Sequence, residues 1–364
     1  MRAYYILFFF ISLAYVFILL FEVGKKEGNS ELQNQKAQNK WMLIVAFIPI
    51  VVLTALRSRD VGFDTGQYLL YFERVCMDAE NSFDRKNFEI GYRYLVRLIA
   101  HFTSNKVVFL SVMALITNIP IAIFIMRYSK DAYLSVMLYL TIGSFTFQLT
   151  GIRQAIALAI LTFAVDFAIK RKLLWFLLCI YVASLFHRSA YLFAPVYLLS
   201  SDILNRKTFF MIVGAALLVA FSDIIFRKVG LNLKYDEYFD GEGVKGFGGW
   251  TYIAIMLITA FMYLIGKYHD KEEFSRSDQV FFSILLFALA LYILRYQNRI
   301  AERVSLYYRM SLIILLPNSI YGRKNISVRS VLTIGCTMCS IALFIYWVLG
   351  SPYIYHPFWS YMKL

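Results

Sequence analysis

The sequence has few charged residues and no long polar segment between its apolar runs. Charged residues make up 16% of the 364 residues, whereas hydrophobic residues make up 60%, and the mean hydropathy is +0.61. A soluble domain of this length needs more polar surface than so few charges supply, so the composition excludes that class. It instead predicts an all-α, polytopic membrane protein that forms a single integral membrane domain over residues 1–364.

Metal-binding and redox motifs are also scarce. The chain contains no Asp-x-Asp pair and no His/Cys cluster with the spacing of metal ligands. It has four cysteines, and the pair Cys336 and Cys339 lies inside an apolar run, which favours core packing over a redox or metal role. We therefore expect no metal and no cofactor.

The first apolar run lacks the cleavage site of a signal peptide. Residues 3–21 are long enough to cross a membrane and have no small-residue cleavage motif after them, so we expect a retained helix. Apolar windows of about 19 residues predict twelve spans along the chain. The predicted spans are 3–21, 41–56, 107–126, 132–150, 152–169, 173–187, 190–203, 208–226, 250–267, 279–295, 304–320 and 330–350.

Basic residues outnumber acidic ones, 37 against 23, which gives a net charge of +14. In a membrane protein such residues keep loops in the cytoplasm or bind anionic lipid and phosphate, so nucleic acid is not an expected partner. If each predicted span crosses once, basic loops such as 170–172 all fall on one side. By the positive-inside rule that side is cytoplasmic, and both termini are then outside.

A second set of polar residues falls at the opposite, extracytoplasmic ends of the predicted spans. Arginines at this side contradict the topological bias, and ionisable groups at membrane depth are treated as functional by default. The set comprises Arg57, Arg59, Asp60, Asp64, Glu89, Arg153, Gln154, His187, Arg188, Arg299, Arg303 and His356.

The longest segment between predicted spans covers residues 57–106, and we interpret it as an extracytoplasmic loop. A second such loop is expected at 227–249. The pattern of 83–102 separates an aromatic and aliphatic face from a basic face, as in an amphipathic helix that lies in or dips into the outer interface. Such a helix either seals the outer surface of the bundle or forms one wall of a site, with Glu89 and Arg93 turned toward it.

Three shorter patches of polar residues interrupt later apolar runs. Arg153 lies in the first turn of a helix, where the macrodipole opposes a cation unless an anion is bound there or the side chain reaches the interface. His187 lies in an apolar run, where a lone histidine is usually a hydrogen-bonded core residue, but its charged neighbours favour a catalytic role. The arginines of residues 295–303 recur four apart on one helix face.

Together these motifs resemble a known family. R-S-R-D-V-G-F-D-T-x-x-Y begins at Arg57, F-E-x-G-Y at Phe88, G-I-R-Q-A-I-A-x-A-I at Gly151, A-S-x-F-H-R-S-A at Ala183 and R-x-x-x-Y-Y at Arg303. In this order, over nearly the whole chain, the motifs are similar to those of the EpsG family of Wzy-like bacterial polysaccharide polymerases. The closing S-P-Y-I-Y-H-P-F also resembles the tail of that family.

The resemblance implies a multi-pass protein of the bacterial inner membrane with a GT-C-like architecture of about twelve helices and an active site on the periplasmic or extracellular side. It also implies a metal-independent glycosyltransferase that joins undecaprenyl-pyrophosphate-linked oligosaccharide repeat units into O-antigen, capsule or exopolysaccharide. The implied partners are these units, membrane lipids, a chain-length regulator and a flippase.

The chemistry of this reaction suggests roles for the polar residues. A guanidinium binds phosphate oxygens bidentately, so we assign pyrophosphate binding to Arg57, Arg59, Arg153, Arg303, Arg299 and Arg188. An imidazole titrates near pH ~6.5 and can act as a base, so the candidate catalytic residues are His187 and, as alternatives, Asp64 and Glu89. The residues that we expect to contact the substrate, or to support the residues that do, are Asp60, Gln154, Tyr68, Tyr92, Tyr307 and His356.

Two other protein classes use similar residues. A lipid-linked oligosaccharide flippase or another transporter would also need cationic residues, but it tends to place them along a central cavity and to show internal repeats, which this sequence lacks. A membrane O-acyltransferase would also use an intramembrane histidine, but its acyl donor usually comes from the cytoplasm, whereas His187 is predicted outside.

Overall fold

The computed structural model describes residues 2–26, 28–77, 88–199, 214, 248–268, 275–295, 299–349 and 354–357. Within these ranges every regular element is helical except one isolated β-bridge, so the prediction of an all-α fold is confirmed. The α-helices are Arg2–Leu20 (α1), Glu31–Ala55 (α2), Thr65–Met77 (α3), Ile90–Phe102 (α4), Lys106–Tyr128 (α5), Ala132–Thr141 (α6), Ser144–Thr150 (α7), Ile152–Ile169 (α8), Leu173–Ser184 (α9), Val196–Leu199 (α10), Gly248–Tyr268 (α11), Arg276–Leu294 (α12), Arg299–Arg309 (α13), Leu312–Tyr321 (α14) and Ile326–Val348 (α15), and a 3-10 helix covers Arg188–Phe193.

Seven helices in the described part of the chain are long and apolar enough to cross a membrane, or eight if the bent pair α6 and α7 counts as one span. The seven are α1, α2, α5, α8, α11, α12 and α15. The membrane class is therefore confirmed, whereas the count of twelve is not. The predicted span 208–226 and nearly all of the predicted loop 227–249 lie outside the described residues.

Three predicted spans differ from the observed helices. The span 173–187 is a helix of only 12 residues, α9. The span 190–203 is not one helix, because the 3-10 helix gives way to the short α10 near Pro195, which has no N–H to continue a ladder. The span 304–320 is divided between α13 and α14, where the backbone N–H and hydroxyl of Ser311 both donate to Tyr308 O in a tight turn.

The chain forms two compact units. The first unit comprises Met1–Phe163, Tyr181–Arg188 and Thr333–Leu364. In it α2 packs against α1, α5 and α6. The helices α6 and α7 meet at an angle of 47°, and Gly143 at the bend has a φ of +85°, a conformation that glycine adopts without steric cost.

A buried amide fastens the bent pair to α5. Asn118 accepts hydrogen bonds from the Tyr139 hydroxyl at 3.0 Å and from Gln148 Nε2 at 3.2 Å. Tyr139 belongs to α6 and Gln148 to α7, so one side chain of α5 fixes both halves of the bend. Polar groups in a broken helix need hydrogen-bond partners inside a membrane, and these contacts provide them.

The second unit comprises Ala164–Ile180 and Ser189–Leu332. In it α11 packs against α12 and α14, and Tyr263 stacks on Phe282 at 4.4 Å. Asn318 Nδ2 donates to Asp278 Oδ1 at 2.5 Å, which ties α14 to the first turn of α12. The single domain predicted from the sequence stays a prediction.

The cysteine pair does not pack as the sequence predicted. Cys336 is half-buried and Cys339 is exposed on α15. The run around them is apolar on all sides, so hydrophobicity alone could not tell which face of the helix is buried. The expected core packing of this pair is therefore wrong.

Candidate functional site

The segment that follows α2 folds back onto the junction of α7 and α8. Gly62 has a φ of +84°, and a Cβ added there would lie 2.3 Å from Leu149 O. Phe63 N donates to Thr150 Oγ1 at 3.2 Å, and Thr65 Oγ1 donates to Leu149 O at 2.8 Å. The V-G-F-D-T part of the motif therefore holds the end of α2 and the start of α3 against this junction.

Arg57 is buried at the centre of this segment, with 1% of its surface exposed. Its Nη1 donates to Thr54 O at 2.6 Å and its Nε to Thr65 Oγ1 at 3.3 Å, whereas Nη2 has no hydrogen-bond partner among the described residues. Burial lowers the pKa of Arg57 to about 10, against the opposing effect of nearby tyrosines. The group remains a cation at neutral pH, and one of its donors is unsatisfied.

The described part of the C-terminal tail, residues 354–357, lies beside Arg57. Ser58 N donates to His356 O at 2.8 Å, and Arg57 and Pro357 form the isolated antiparallel bridge. Burial raises the pKa of Tyr355 to about 12, although Arg57 opposes this shift. His356 thus joins this segment through its backbone, and its side chain is exposed, while its predicted role in substrate contact stays a prediction.

Glu89 reaches the site because α4 makes a close backbone contact with the end of α9. Gly91 N donates to Leu185 O at 2.8 Å, and a Cβ on Gly91 would meet the same oxygen at 2.8 Å. This approach brings Glu89, the residue before α4, to His187, the residue before the 3-10 helix. His187 Nδ1 lies 3.3 Å from Glu89 Oε1.

The same carboxylate also binds an arginine. Arg153 Nη1 forms an ion pair with Glu89 Oε2, so the two carboxylate oxygens face two different partners. Burial raises the pKa of Glu89, but the neighbouring imidazole of His187 and the charge of Arg153 outweigh this effect and lower the pKa to about 2. Glu89 is therefore ionised at every physiological pH, and it accepts hydrogen bonds rather than protons.

Aromatic side chains surround these charges. Arg153 lies 4.8 Å from the centroid of the Phe88 ring, and Tyr68 is hydrogen-bonded to Arg153. The rings of Tyr68 and Tyr92 meet edge to face at 5.6 Å. Burial raises the pKa of both tyrosines, and Tyr92 interacts electrostatically with both Arg57 and Arg153. Both phenols are therefore neutral hydrogen-bond donors beside the two arginines.

Among the described residues, this cluster contains two arginines, one buried carboxylate and several buried donors that lack hydrogen-bond partners. Arg57 and Arg153 supply two positive charges, and Glu89 supplies the negative charge that pairs with Arg153. Arg57 Nη2, Arg153 Nε and the Tyr92 hydroxyl are buried donors without a hydrogen-bond partner in the described ranges. Buried donors of this kind are costly unless a ligand accepts their hydrogen bonds.

The other predicted site residues of the first unit differ in their burial. Arg59 Nε is 3.8 Å from Asp60 Oδ1, and both side chains are exposed. Arg188 is exposed as well, while Asp64 is half-buried and interacts with Tyr68. Gln154 is buried next to Arg153 in α8. Of the four arginines predicted in this unit, Arg57 and Arg153 are thus the two that enter the buried cluster.

The remaining predicted residues belong to the second unit. Arg303 is half-buried on α13, and the side chain of Arg299 lies outside the described residues. The Tyr307 hydroxyl is 2.9 Å from Ser189 Oγ, a contact that fixes α13 to the 3-10 helix.

Three residues of the first cluster were not predicted from the sequence: Thr65, Phe88 and Tyr355. Thr65 and Phe88 lie inside the quoted motifs, but the sequence indicated functional roles for their charged neighbours instead. Tyr355 lies in the aromatic tail, and nothing in the sequence distinguishes it from the many other tyrosines as a site residue.

Comparison with protein-family models gives one match. A model described as the EpsG family matches residues 40–362. Comparison with curated proteins gave no match, and neither did comparison with solved structures.

Proposed function

The chain belongs to the EpsG family, and from this premise we propose that it is a polysaccharide polymerase that joins undecaprenyl-pyrophosphate-linked oligosaccharide units at the extracytoplasmic face of the membrane. The family model covers most of the chain, including every residue of the buried cluster in the first unit. Family membership supports the reaction class, and the cluster supports the roles of individual residues.

One observation carries the proposal: Arg57 Nη2, Arg153 Nε and the Tyr92 hydroxyl are buried donors without partners in the described residues. A diphosphate offers several anionic oxygens, and planar guanidinium groups bind such oxygens bidentately. Buried guanidinium donors without acceptors are costly near a membrane, and that cost is removed when an anion binds them. We therefore assign Arg57 and Arg153 to the diphosphate of the donor unit.

The acceptor must lose a proton, and the Glu89–His187 pair suits that step. We propose that the neutral imidazole carries its proton on Nδ1, 3.3 Å from the carboxylate, which leaves its lone pair on Nε2. Glu89 then stabilises the imidazolium that forms when Nε2 accepts the proton, as an ionised carboxylate does in other Glu–His or Asp–His pairs. This geometry favours His187 over Asp64 and Glu89 as the base.

In the proposed step the acceptor hydroxyl oxygen forms a bond to the anomeric carbon of the donor sugar. The bond from that carbon to the diphosphate oxygen breaks, the hydroxyl proton moves to His187 Nε2, and the leaving diphosphate takes the electron pair. Arg57 and Arg153 stabilise the negative charge that develops there, the role a divalent cation fills in other transferases, so we propose a metal-independent reaction. A single displacement inverts the anomeric configuration.

The test is polymer formation in cells that carry Arg153→Ala. Loss of one donor to a developing charge typically costs about 2.7–4 kcal/mol of transition-state stabilisation, a rate loss of about 10²- to 10³-fold. We expect long-chain polymer to disappear while single lipid-linked repeats remain on the cell surface. The matched control is Arg97→Ala, which removes an exposed arginine of α4. Loss of surface display of even the single repeat would point to a flippase instead.

A further inference from the structure

The second unit contains a buried arginine that the proposed function does not use. Arg309 is 4% exposed, and its guanidinium carbon lies 4.3 Å from the centroid of the Tyr252 ring and 5.2 Å from that of Tyr292. Its Nε and Nη1 have no hydrogen-bond partner within the described ranges. The side chain is thus held by aromatic faces while two of its donor atoms are unsatisfied.

A second buried arginine shares one of these rings. Arg295 is 3% exposed, its guanidinium carbon lies 4.8 Å from the Tyr292 centroid, and its Nη1 donates to the Tyr292 hydroxyl. Arg295 Nη1 also lies 3.6 Å from Glu302 Oε1. Glu302 is half-buried and also interacts electrostatically with Tyr252 and Tyr292.

The unsatisfied donors of Arg309 call for an anion. Stacking on tyrosine compensates a cation only weakly, whereas removing a guanidinium from water is costly unless its donors find acceptors. The location indicates which anion: Tyr252 lies near the start of the span Trp250–Tyr268, and Tyr292 lies near the end of the span Arg276–Leu294. Ends of spans lie at the level of lipid headgroups, where phosphate is the prevalent anion.

We propose that Arg295 and Arg309, with Tyr252 and Tyr292, form a binding site for a phosphate group carried by a lipid. Two guanidinium groups match the tetrahedral oxygens of a phosphate better than the two oxygens of a carboxylate. The phosphate belongs either to a second polyprenyl-diphosphate-linked unit, an identification that rests on the proposed function, or to a phospholipid of the bilayer.

The test is binding of defined lipids to the purified full-length protein, measured by native mass spectrometry. The probes are a polyprenyl diphosphate and phosphatidylglycerol, each titrated against wild type, Arg309→Met, Arg57→Met and Arg329→Met. Arg329 is the matched control, because it stacks on Tyr321 at 4.4 Å in the same unit but outside this cluster. We expect Arg309→Met to bind at least one probe about tenfold to hundredfold more weakly, and Arg329→Met to bind as wild type does.

The variants separate the two proposals. A weaker affinity for the diphosphate alone in Arg309→Met assigns the site to a lipid-linked unit, and a weaker affinity for phosphatidylglycerol as well assigns it to bilayer lipid. Arg57→Met tests the proposed diphosphate site of the first unit separately. If that variant binds the polyprenyl diphosphate as wild type does, the result for Arg309→Met still stands. Unchanged affinity of Arg309→Met for both probes overturns the proposal. If Arg309→Met does not fold, Arg309→Lys replaces it in the experiment, because lysine keeps the charge but loses the planar donors. Wild-type affinity of Arg309→Lys for both probes would also overturn the proposal.

Discussion

Glu89 contacts two other site residues through a single side chain. One carboxylate oxygen approaches the imidazole of His187 and the other pairs with Arg153, so in the proposed mechanism one residue orients both the base and an arginine that binds phosphate. The three residues belong to three separate motifs, and Glu89 and Arg153 are 64 positions apart. Residue types and charge made each of them a candidate in the sequence, but no periodicity relates positions so distant, so their contact had to come from the structure.

The first prediction at this scale concerns Glu89→Gln. Because a carboxylate at 3.3 Å stabilises the imidazolium of His187, the amide variant should take up that proton only at lower pH. We expect the maximal rate to fall about 10²-fold and the acid limb of the pH–rate profile to move to lower pH. The profile of polymer formation by the purified enzyme measures both effects.

The wild-type acid limb should not report Glu89 itself. Its pKa is about 2 in the folded protein and about 4.3 in an unfolded chain, so its ionised form stabilises the fold fully above pH ~4.3. This stabilisation of the folded state is lost as the pH falls through the pKa that Glu89 has in the folded protein. A Glu89→Gln variant whose profile keeps the wild-type acid limb would contradict the assignment of Glu89 to His187.

At the scale of elements, the positions of helix ends determine where the site residues lie. The sequence indicated an amphipathic segment at 83–102, and α4 lies in its described part, with Tyr92, Val96 and Ile99 buried and Phe102 exposed. It did not indicate α3, because a helix rich in tyrosine and flanked by charge resembles a polar loop. Nor did it indicate the breaks in the spans at 132–150 and 304–320, since uniform hydrophobicity does not reveal where a backbone turns inside an apolar run.

Gly62→Ala tests whether the turn after α2 holds the site. The substitution adds a strained positive φ and a Cβ 2.3 Å from Leu149 O, so we expect a loss of about 2–5 kcal/mol in the free energy of unfolding. Gly28→Ala is the control, since Gly28 has a φ of +83° with nothing within 4 Å of an added Cβ. It should cost about 1–2 kcal/mol. Thermal unfolding in detergent compares the two, and equal losses would show that the contact with Leu149 contributes nothing.

At the scale of the whole molecule, composition alone established the membrane class, and the structure confirms it. Each compact unit contains a cluster of two arginines, one glutamate and two tyrosines: Arg57, Arg153, Glu89, Tyr68 and Tyr92 in the first, and Arg295, Arg309, Glu302, Tyr252 and Tyr292 in the second. The sequence indicated Arg303 and Arg299 in the second unit and gave no role to Arg309, which follows two tyrosines at the edge of an apolar run, a position typical of a helix-end anchor. The proposed reaction, which joins two lipid-linked units, would give a reason for two such clusters.

The proposed reaction also requires a particular orientation in the membrane. Arg153 lies in the first turn of α8 and the basic residues 170–172 follow its last turn, so a helix of about 27 Å separates them. If the basic loop is cytoplasmic, Arg153 and its cluster lie at the outer face.

We expect a membrane-impermeant maleimide to label Arg59→Cys and Arg188→Cys on intact cells, each made in a variant without the native cysteines, since both positions are exposed. Lys172→Cys, exposed at the other end of α8, should react only after the membrane is permeabilised. Labelling of Lys172→Cys on intact cells, with protection of the other two, would place the cluster on the cytoplasmic side, where it could not serve an extracytoplasmic polymerase.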